Sequence, residues 1–353
     1  MHKPHSLHKN ETGLVAIVVT MIMMFVLSLI VLSFFRVSQR EQRQALDRQL
    51  STQAFYAAES GINDAAEYLK TNTLPIDDTN CNAPPGYNNQ IDGSGVITYS
   101  CLLMDPSPTS LEYDNIAAGE SKVIPIKHQN NSGIDNLGLY WNFPDANRNN
   151  YTNCPSAIVF PAAWNTNCDA GMLRIDLVPI SPGPFNRANL IDKTMTIFAV
   201  PLRSGAGGVA TYSAGATGFG GQGTNVGVTC VAALTPTRPK GCYLRIAFTP
   251  PLYTQFYMKV MPVYKPASLT VCSPSCGSVA KELADAQTVI DSTGKANDVL
   301  RRVQARVPSN NSFFGPFPNY ALESKDTICK RFLVAPPLAP RLDPAVTAAC
   351  PAL

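Results

Sequence analysis

The sequence predicts an α+β fold in which one long N-terminal helix, part transmembrane and part amphipathic, packs on a mostly antiparallel β-sheet head with large loops. Three observations lead to this class. An uncharged apolar run follows a short polar segment, helix-forming residues without proline continue that run, and residues 71–353 alternate short β-rich segments with turn residues. The 29 prolines and 23 glycines favour strands and turns over a helical bundle in this second part.

The apolar run is Leu14–Phe35, LVAIVVTMIMMFVLSLIVLSFF. Its length of about 22 residues without a charge suffices to cross the hydrocarbon core of a bilayer as a helix. Apolar residues cover every face, whereas a helix at the surface of a soluble core shows one apolar stripe. A removable secretory signal is the stronger alternative, but the run is longer than such a signal and no small-residue cleavage site follows it.

Residues 36–70 continue the helix, because they are mostly strong helix formers and only Gly61 interrupts them. Apolar and small residues recur there every three or four positions, which places them on one face that packs on the head. The apolar run and this amphipathic continuation together predict one helix of about 55 residues, roughly 85 Å long, whose end is marked by Asn72 and Pro75. The stripe consists of Leu46, Leu50, Ala54, Ala58, Ile62, Ala65 and Leu69.

The head contains twelve predicted strands, each rich in β-branched or aromatic residues between turn residues. Asp291–Lys295 is the predicted turn of a hairpin formed by the last two strands, and Arg203–Asn225 and Asp145–Asn153 are predicted surface loops, the first of them mobile. The predicted strands are Gly95–Leu103, Lys122–Ile126, Gly138–Asn142, Ala157–Phe160, Met172–Pro179, Thr194–Val200, Val228–Ala233, Cys242–Phe248, Phe256–Val263, Ser268–Val271, Ala286–Ile290 and Val299–Val307.

All ten cysteines lie between Cys81 and Cys350, after the apolar run. An even set confined to this part is typical of an exported domain with disulfides, whereas ten free thiols in a cytosolic protein would be many. Pairing of sequence neighbours is one arrangement, and sequence alone leaves the others open. The neighbouring pairs are Cys81–Cys101, Cys154–Cys168, Cys230–Cys242, Cys272–Cys276 and Cys329–Cys350.

Two segments resemble a known family. Glu11-Thr12-Gly13 before Leu14 resembles the class III signal of type IV prepilins, in which a prepilin peptidase cuts after the glycine. The stretch 53–61 resembles the QA-x-x-AAE-x-G signature of PilX-type minor pilins, carried here by Gln53, Ala54, Ala57, Ala58, Glu59 and Gly61. The resemblance is clearest over residues 9–70, and the hairpin Ala286–Val307 and Cys329 are similar to that family's C-terminal portion.

This resemblance implies cleavage between Gly13 and Leu14, methylation of the new N-terminus, and assembly with other pilins through the helix. It divides the chain into a leader peptide at residues 1–13, a transmembrane part of the helix at 14–35, an amphipathic part at 36–70, and an exported, β-rich, cysteine-rich head at 71–353. The implied location is the cell membrane, crossed once with the head outside the cytoplasm, and the pilus or cell surface after processing.

The chain departs from the family at one position. Most pilins carry a glutamate at the fifth mature residue, and Val18 occupies that position here. In the family this carboxylate is thought to neutralise the N-terminal amine of a neighbouring subunit within the membrane, where an unpaired charge is costly. By resemblance, the K-type tip pseudopilin of type II secretion also lacks it. Val18 therefore predicts a position at the filament tip or sparse incorporation.

The charges that flank the apolar run disagree with this orientation. Lys3 and Lys9 precede it and four arginines follow it, and the positive-inside rule alone would place the head in the cytoplasm. The cysteine distribution indicates export, and it outweighs the charge count. The four arginines are Arg36, Arg40, Arg43 and Arg48.

The sequence predicts no catalytic residue, no metal ligand and no cofactor site. His128 is the only histidine outside the leader, and its polar neighbours indicate a solvated side chain. Ser292–Ala296 has only a superficial likeness to a phosphate loop, and Cys272–Cys276 lacks further ligands for zinc. The Asp and Asn residues at 143–153 leave calcium as the one cofactor to consider, without EF-hand spacing.

The predicted function is therefore that of a minor pilin-like structural subunit of a type IV pilus, not an enzyme, whose head contacts an extracellular surface, a host cell or DNA. Two alternatives stay open: a type II secretion pseudopilin, and a signal-anchored binding protein or enzyme at the cell surface.

Overall fold

The computed structural model describes residues 12–72, 81, 84, 86–142, 151–158, 168–180, 193–203, 208–213, 223–231, 234–249, 253–277 and 279–309. Helix α1 runs over Thr12–Thr71, 60 residues, which confirms the single long helix. It ends where predicted, at Asn72, whose backbone N–H and side-chain amide both donate to the carbonyl of Tyr68, at 3.1 and 3.0 Å. These two bonds satisfy a carbonyl group that the last turn leaves without an intrahelical partner.

The first part of α1 stands free of the head. Every side chain from Val15 to Gln49 is exposed, a length of about 50 Å. The helix Val15–Thr71 is long and apolar enough to cross a membrane, with a window of mean hydropathy 3.0. Its polar side chains bond back to the preceding turn as predicted; Ser28, for example, donates to the carbonyl of Phe25 at 2.8 Å.

The described part of the head contains thirteen strands: β1 Ile97–Asp105, β2 Ser110–Ile116, β3 Lys122–Lys127, β4 Asn136–Asn142, β5 Met172–Pro179, β6 Met195–Leu202, β7 Gly208–Ser213, β8 Gly223–Thr229, β9 Cys242–Thr249, β10 Gln255–Val263, β11 Ala267–Cys272, β12 Gln287–Ala296 and β13 Val299–Pro308. They form three sheets, of which one lies against α1 and two face each other.

The sheet against α1 has three antiparallel strands in the order β1-β12-β13. The predicted hairpin is present, but its predicted turn is wrong. Asp291–Lys295 lies within β12, and the two-residue turn is Asn297–Asp298, with a left-handed φ of 55° at Asn297. Local turn chemistry at Asp, Ser and Gly suggested the earlier position, whereas Gly294 is in fact a strand residue beneath the helix.

The ten strands β2–β11 form a β-sandwich inserted between β1 and β12. One sheet has the order β3-β10-β5-β6-β8 and the other β2-β11-β4-β9-β7. Without β7 and β8, the two antiparallel sheets have the strand order of an eight-stranded jelly roll with two Greek keys. β7 and β8 extend it at the outer edges, each paired parallel with its neighbour.

Most predicted strands are confirmed, and three predictions need correction. The predicted mobile loop Arg203–Asn225 contains β7 and the start of β8, edge strands whose small residues give little β signal. The predicted strand Val228–Ala233 shares only its first two residues with β8, and the polar edge strand β2 was missed. The described residues of Ala157–Phe160 are not in a strand. Most of the predicted loop Asp145–Asn153 lies outside the described residues.

The core of the jelly roll lies between its two sheets, where buried side chains from both form one cluster. Trp141 on β4 is fully buried, and its indole N–H donates to the carbonyl of Gly171, just before β5, at 2.9 Å. This bond joins the two sheets. Within this cluster, Tyr212, Phe248 and Phe256 pack ring against ring, with centroids 4.6–5.7 Å apart.

Four disulfides close local loops in the described residues: Cys81–Cys101, Cys154–Cys168, Cys230–Cys242 and Cys272–Cys276. They are four of the five neighbouring pairs, and Cys329–Cys350 lies outside the described residues. The first ties the segment after α1 to β1, and the other three lie within the jelly roll. Each restricts the unfolded chain.

We expect Trp141→Phe to lower the free energy of unfolding of the head by about 2 kcal/mol, because the buried carbonyl of Gly171 loses its donor and a void replaces part of the indole. Chemical denaturation followed by circular dichroism measures this loss. Val279→Ala, at a residue that is 64% exposed, is the control and should change the value by less than about 0.5 kcal/mol. Equal stability of Trp141→Phe and the unaltered chain would contradict the bridging role.

Candidate assembly site on the N-terminal helix

The second half of α1 docks on the three-stranded sheet through its smallest residues. Ala54, Ala57, Ala58 and Ala65 are 0–1% exposed, and Gly61 is buried with them. They face β12 and β1 of the three-stranded sheet. The contacts of α1 with the head are made mainly with this sheet. The signature stretch 53–61 therefore supplies a flat strip along which helix and sheet backbones approach closely.

Two glycines mark how close this approach is. A Cβ atom on Gly294 would lie 2.0 Å from the carbonyl oxygen of Ala54 and 2.4 Å from the amide nitrogen of Ala58. A Cβ atom on Gly61 would lie 2.5 Å from Ser292 Oγ and 3.0 Å from Tyr99 Cγ. Real Cβ atoms do not come this near to backbone atoms, so the contact requires glycine at position 294. At position 61 a Cβ atom would have to displace the side chains of Ser292 and Tyr99.

The other two signature residues lie beside this strip. Gln53 is half-buried and Glu59 is exposed, so neither belongs to the close contact. The stripe predicted from periodicity was correct from Ala54 to Leu69, wrong at Leu46, which is 54% exposed, and incomplete, because it omitted Ala57.

Two side-chain hydrogen bonds fix the helix along the sheet. Tyr99 donates its hydroxyl to Asp64 Oδ2 at 3.1 Å, and Arg301 Nε donates to Ser51 Oγ at 2.8 Å. Burial and the neighbouring Asp64 carboxylate raise the pKa of Tyr99, so its hydroxyl stays a donor at any physiological pH. Next to the Tyr99–Asp64 bond, Leu102 of β1 and Ala65 of the helix share a small apolar cluster.

These contacts also orient the head. Arg301 meets Ser51, Gly294 meets Ala54, and Ser292 meets Gly61, so β12 runs antiparallel to α1. The β12–β13 turn therefore points toward the apolar end of the helix, and the jelly roll joins the sheet at the opposite end. This arrangement places the inserted module far from the membrane-compatible segment.

Side chains reinforce the junction between sheet and jelly roll. Gln287 on β12 accepts from the backbone N–H of Glu112 at 2.9 Å and donates to its carbonyl at 2.6 Å, in the manner of a neighbouring strand. Arg306 on β13 donates to the carbonyl of Ser110 at 2.7 Å and pairs with the Glu112 carboxylate at 3.1 Å. A cleft of about 680 Å³ opens beside these residues. The jelly roll is thus held by side chains as well as by its two chain connections.

His128, predicted to be solvated, is instead 1% exposed. Its ring nitrogens lie 2.8 Å from Ser132 Oγ and 2.7 Å from Ser273 Oγ. Ser273 is also fully buried and donates to the carbonyl of Asn136 at 2.9 Å. Neither side chain is reachable by a substrate, so this pair has a structural role. The polar residues next to His128 in sequence indicated a solvated side chain, whereas residues distant in sequence, such as Ser273, bury it.

Other candidate residues give no binding site in the described part. Cys272 and Cys276 form a disulfide, and no group of three or more His, Cys, Asp or Glu there could hold a metal ion. The calcium prediction depends largely on residues 143–150, which lie outside the described residues. Gly13 and Leu14 lie in the first turns of α1, and the described geometry does not test cleavage between them.

A helix long and apolar enough to cross a membrane, docked by its second half on an antiparallel sheet, is compatible with a single-pass membrane anchor that carries a head. Comparison with known families adds a more specific finding: the model of the PilX N-terminal family matches residues 13–63. This match supports a PilX-like type IV pilin, and it spans both the apolar run and the close contact with β12. No curated protein and no solved structure matched the chain.

We expect Gly294→Ala to weaken the docking of the helix by about 2 kcal/mol, because the added methyl group overlaps two backbone atoms of α1 and displaces it. Hydrogen exchange of residues 50–66 should become faster. Thr293→Ala, one residue earlier on the opposite face of the sheet, should leave this exchange unchanged. Unaltered protection in Gly294→Ala would show that the two backbones are not in contact.

Burial, with the positive charge of Lys281, lowers the pKa of His128 below its ordinary value of 6.5, while Asp135 acts weakly in the opposite sense. The unfolded chain then binds more protons than the folded one once the pH drops below about 6.5. We therefore expect the free energy of unfolding to decrease as the pH is lowered from about 6.5 to the pKa of His128 in the folded protein. The contribution of His128 to this decrease should be absent in His128→Gln. Denaturation curves between pH 5 and pH 8 measure both. A loss that persists unchanged in His128→Gln would assign it to other groups.

Proposed function

We propose that this chain is a minor pilin-like structural subunit of a type IV pilus, which uses α1 first as a membrane anchor and then as the element that joins the filament. Two observations support the proposal together: the PilX N-terminal match over residues 13–63, and the division of α1 into an exposed first part and a docked second part. The helix is exposed from Val15 to Gln49 and docked on the head beyond Leu50. An exposed apolar helix of this length needs lipid or other helices around it.

We infer that a prepilin peptidase removes residues 1–13 and that methylation of Leu14 follows. The motif Glu11-Thr12-Gly13 before the apolar run supports this inference. With Val18 at the fifth mature position, the chain offers no carboxylate to a neighbour's amine, which favours the filament tip or sparse incorporation.

The jelly roll is the part of the chain that would face the surroundings. It joins the sheet at the end opposite the apolar segment and contains three disulfides, which suit a location outside the cytoplasm. We infer that it makes the contacts with a surface, another cell or DNA. Cells with and without this chain, compared for attachment to each of these, test that role.

The test of the proposed function is the N-terminal residue of the membrane-extracted protein, determined by mass spectrometry with and without prepilin peptidase. We expect a mature start at Leu14 that disappears without the peptidase, and a chain that stays uncleaved in Gly13→Val because the site loses its small residue. Thr12→Ala is the matched control and should be cleaved. An intact N-terminus in every strain would leave a simple membrane anchor and would favour a surface receptor or enzyme.

A second measurement concerns incorporation. Quantitative mass spectrometry of sheared filaments should find this chain well below the most abundant subunit. If it is the dominant subunit, the inference from Val18 is wrong.

A further inference from the structure

Four arginines follow the apolar run on the side of the head, and the proposed function leaves them without a role. Within residues 36–49, the four arginines against two carboxylates, Glu41 and Asp47, leave a net charge of +2. All six side chains are exposed, and no guanidinium group among them forms an ion pair or a hydrogen bond with a residue that the structure describes. The arginines are Arg36, Arg40, Arg43 and Arg48.

Three of them, Arg36, Arg40 and Arg43, form an arginine stripe on the face of α1 that docks on the sheet. About 18 residues make five full turns of an α-helix. The stripe precedes the buried positions 54, 58 and 61 by that number of residues, so its side chains leave the helix in the same direction as those positions. The arginine stripe therefore lies on the same side of α1 as the head, in the open stretch between the head and the apolar run.

The positive charge of this stripe is concentrated next to the apolar run. Arg36 directly follows the run, and Arg40 and Arg43 follow it by about 6 and 10 Å along the helix axis. Side chains of an α-helix lean toward its N-terminus, which is here the direction of the apolar run, so the long arginine side chains extend back toward that run. Asp47 lies on the same face but a further turn toward the head, and Glu41 lies on another face.

We propose that the arginine stripe binds anionic phospholipids, through their phosphate groups, in the leaflet on the head's side of the membrane. The inference rests on the membrane-anchor part of the proposed function and needs no filament. With the apolar run in the hydrocarbon core, the stripe begins in the headgroup layer, which adds about 5–8 Å to each side of the core. Guanidinium groups bind phosphate through paired hydrogen bonds, and negatively charged lipids attract basic residues next to a membrane span.

The available space favours lipid over a folded protein at this stripe. Residues 36–49, which separate the apolar run from the first half-buried residue, Leu50, are about 20 Å long. A small folded domain has a diameter of about 30 Å, whereas the headgroup layer fits within this length. Headgroup binding also gives a physical role to arginines that the positive-inside rule does not explain on the side of the head.

The test measures the lipid selectivity of the full-length chain in phosphatidylcholine vesicles that contain spin-labelled phosphatidylglycerol or spin-labelled phosphatidylcholine. Electron paramagnetic resonance gives the fraction of each labelled lipid that the protein immobilises. We expect a preference of about threefold or more for phosphatidylglycerol at low salt, which disappears at about 1 M salt through screening. Equal immobilisation of the two lipids at low salt would overturn the proposal. If neither lipid is immobilised, α1 does not insert, and both the anchor and this proposal are wrong.

Matched variants assign the preference to the stripe. In Arg36→Gln/Arg40→Gln, the preference for phosphatidylglycerol should decrease to about one, because the remaining stripe charge lies farthest from the headgroups. The control Arg48→Gln/Lys70→Gln removes the same number of charges at exposed positions of α1 outside the stripe and should keep the preference. An equal preference in the two variants would refute the role of the stripe. Cleavage by prepilin peptidase does not depend on this preference, so the pilus assignment and the lipid site fail independently.

Discussion

The contact between the backbones of α1 and β12 is the constraint on which the rest of this molecule depends. Gly294 leaves no space for a side chain against the backbone of α1, and the buried alanines of the helix keep it flat against the sheet. Because the two backbones touch, the position of every other docking residue along α1 follows from this register. Tyr99 can then reach Asp64, and Arg301 can reach Ser51.

This register also explains the signature motif in physical terms. Small residues at positions 54, 57, 58 and 61 are spaced three or four apart, so they lie along one line of the helix surface. A larger residue at any of them would lift the helix off β12 and expose the apolar cluster around Leu102. The small residues of the motif therefore satisfy a packing requirement. Glu59 is exposed and lies outside the contact, so packing does not explain its place in the motif.

The elements predicted correctly from sequence are those determined by local pattern. The long helix follows from continuous apolarity and then periodicity, and strands such as Met172–Pro179 follow from β-branched alternation. The jelly roll was not predicted, because its order pairs strands far apart in sequence, such as β2 with β11. Edge strands with polar or small residues, such as β2 and β7, carry little local signal.

Two residues show why the candidate site was only partly predicted. Gly294 was interpreted as part of a turn because its neighbours are Ser, Thr and Lys. The position in fact needs glycine because the backbone of α1, more than 230 residues earlier in the chain, packs directly against it. His128 was interpreted as solvated because its neighbours are polar, whereas Ser273 covers it from a distant strand end. In both cases tertiary proximity decides the role, and sequence neighbours carry no information about it.

The jelly roll is attached through the end of β1 at Asp105 and the start of β12 at Gln287, neighbouring strands at one end of the sheet. A pull on the jelly roll along the axis of α1 is therefore shared by two strands that both lie on the helix. The resisting contacts, from Ser51 to Leu69, are loaded in shear and must fail together. The same docking that positions the head thus lets tension on the jelly roll pass to α1 without separating the strands of either sheet of the sandwich.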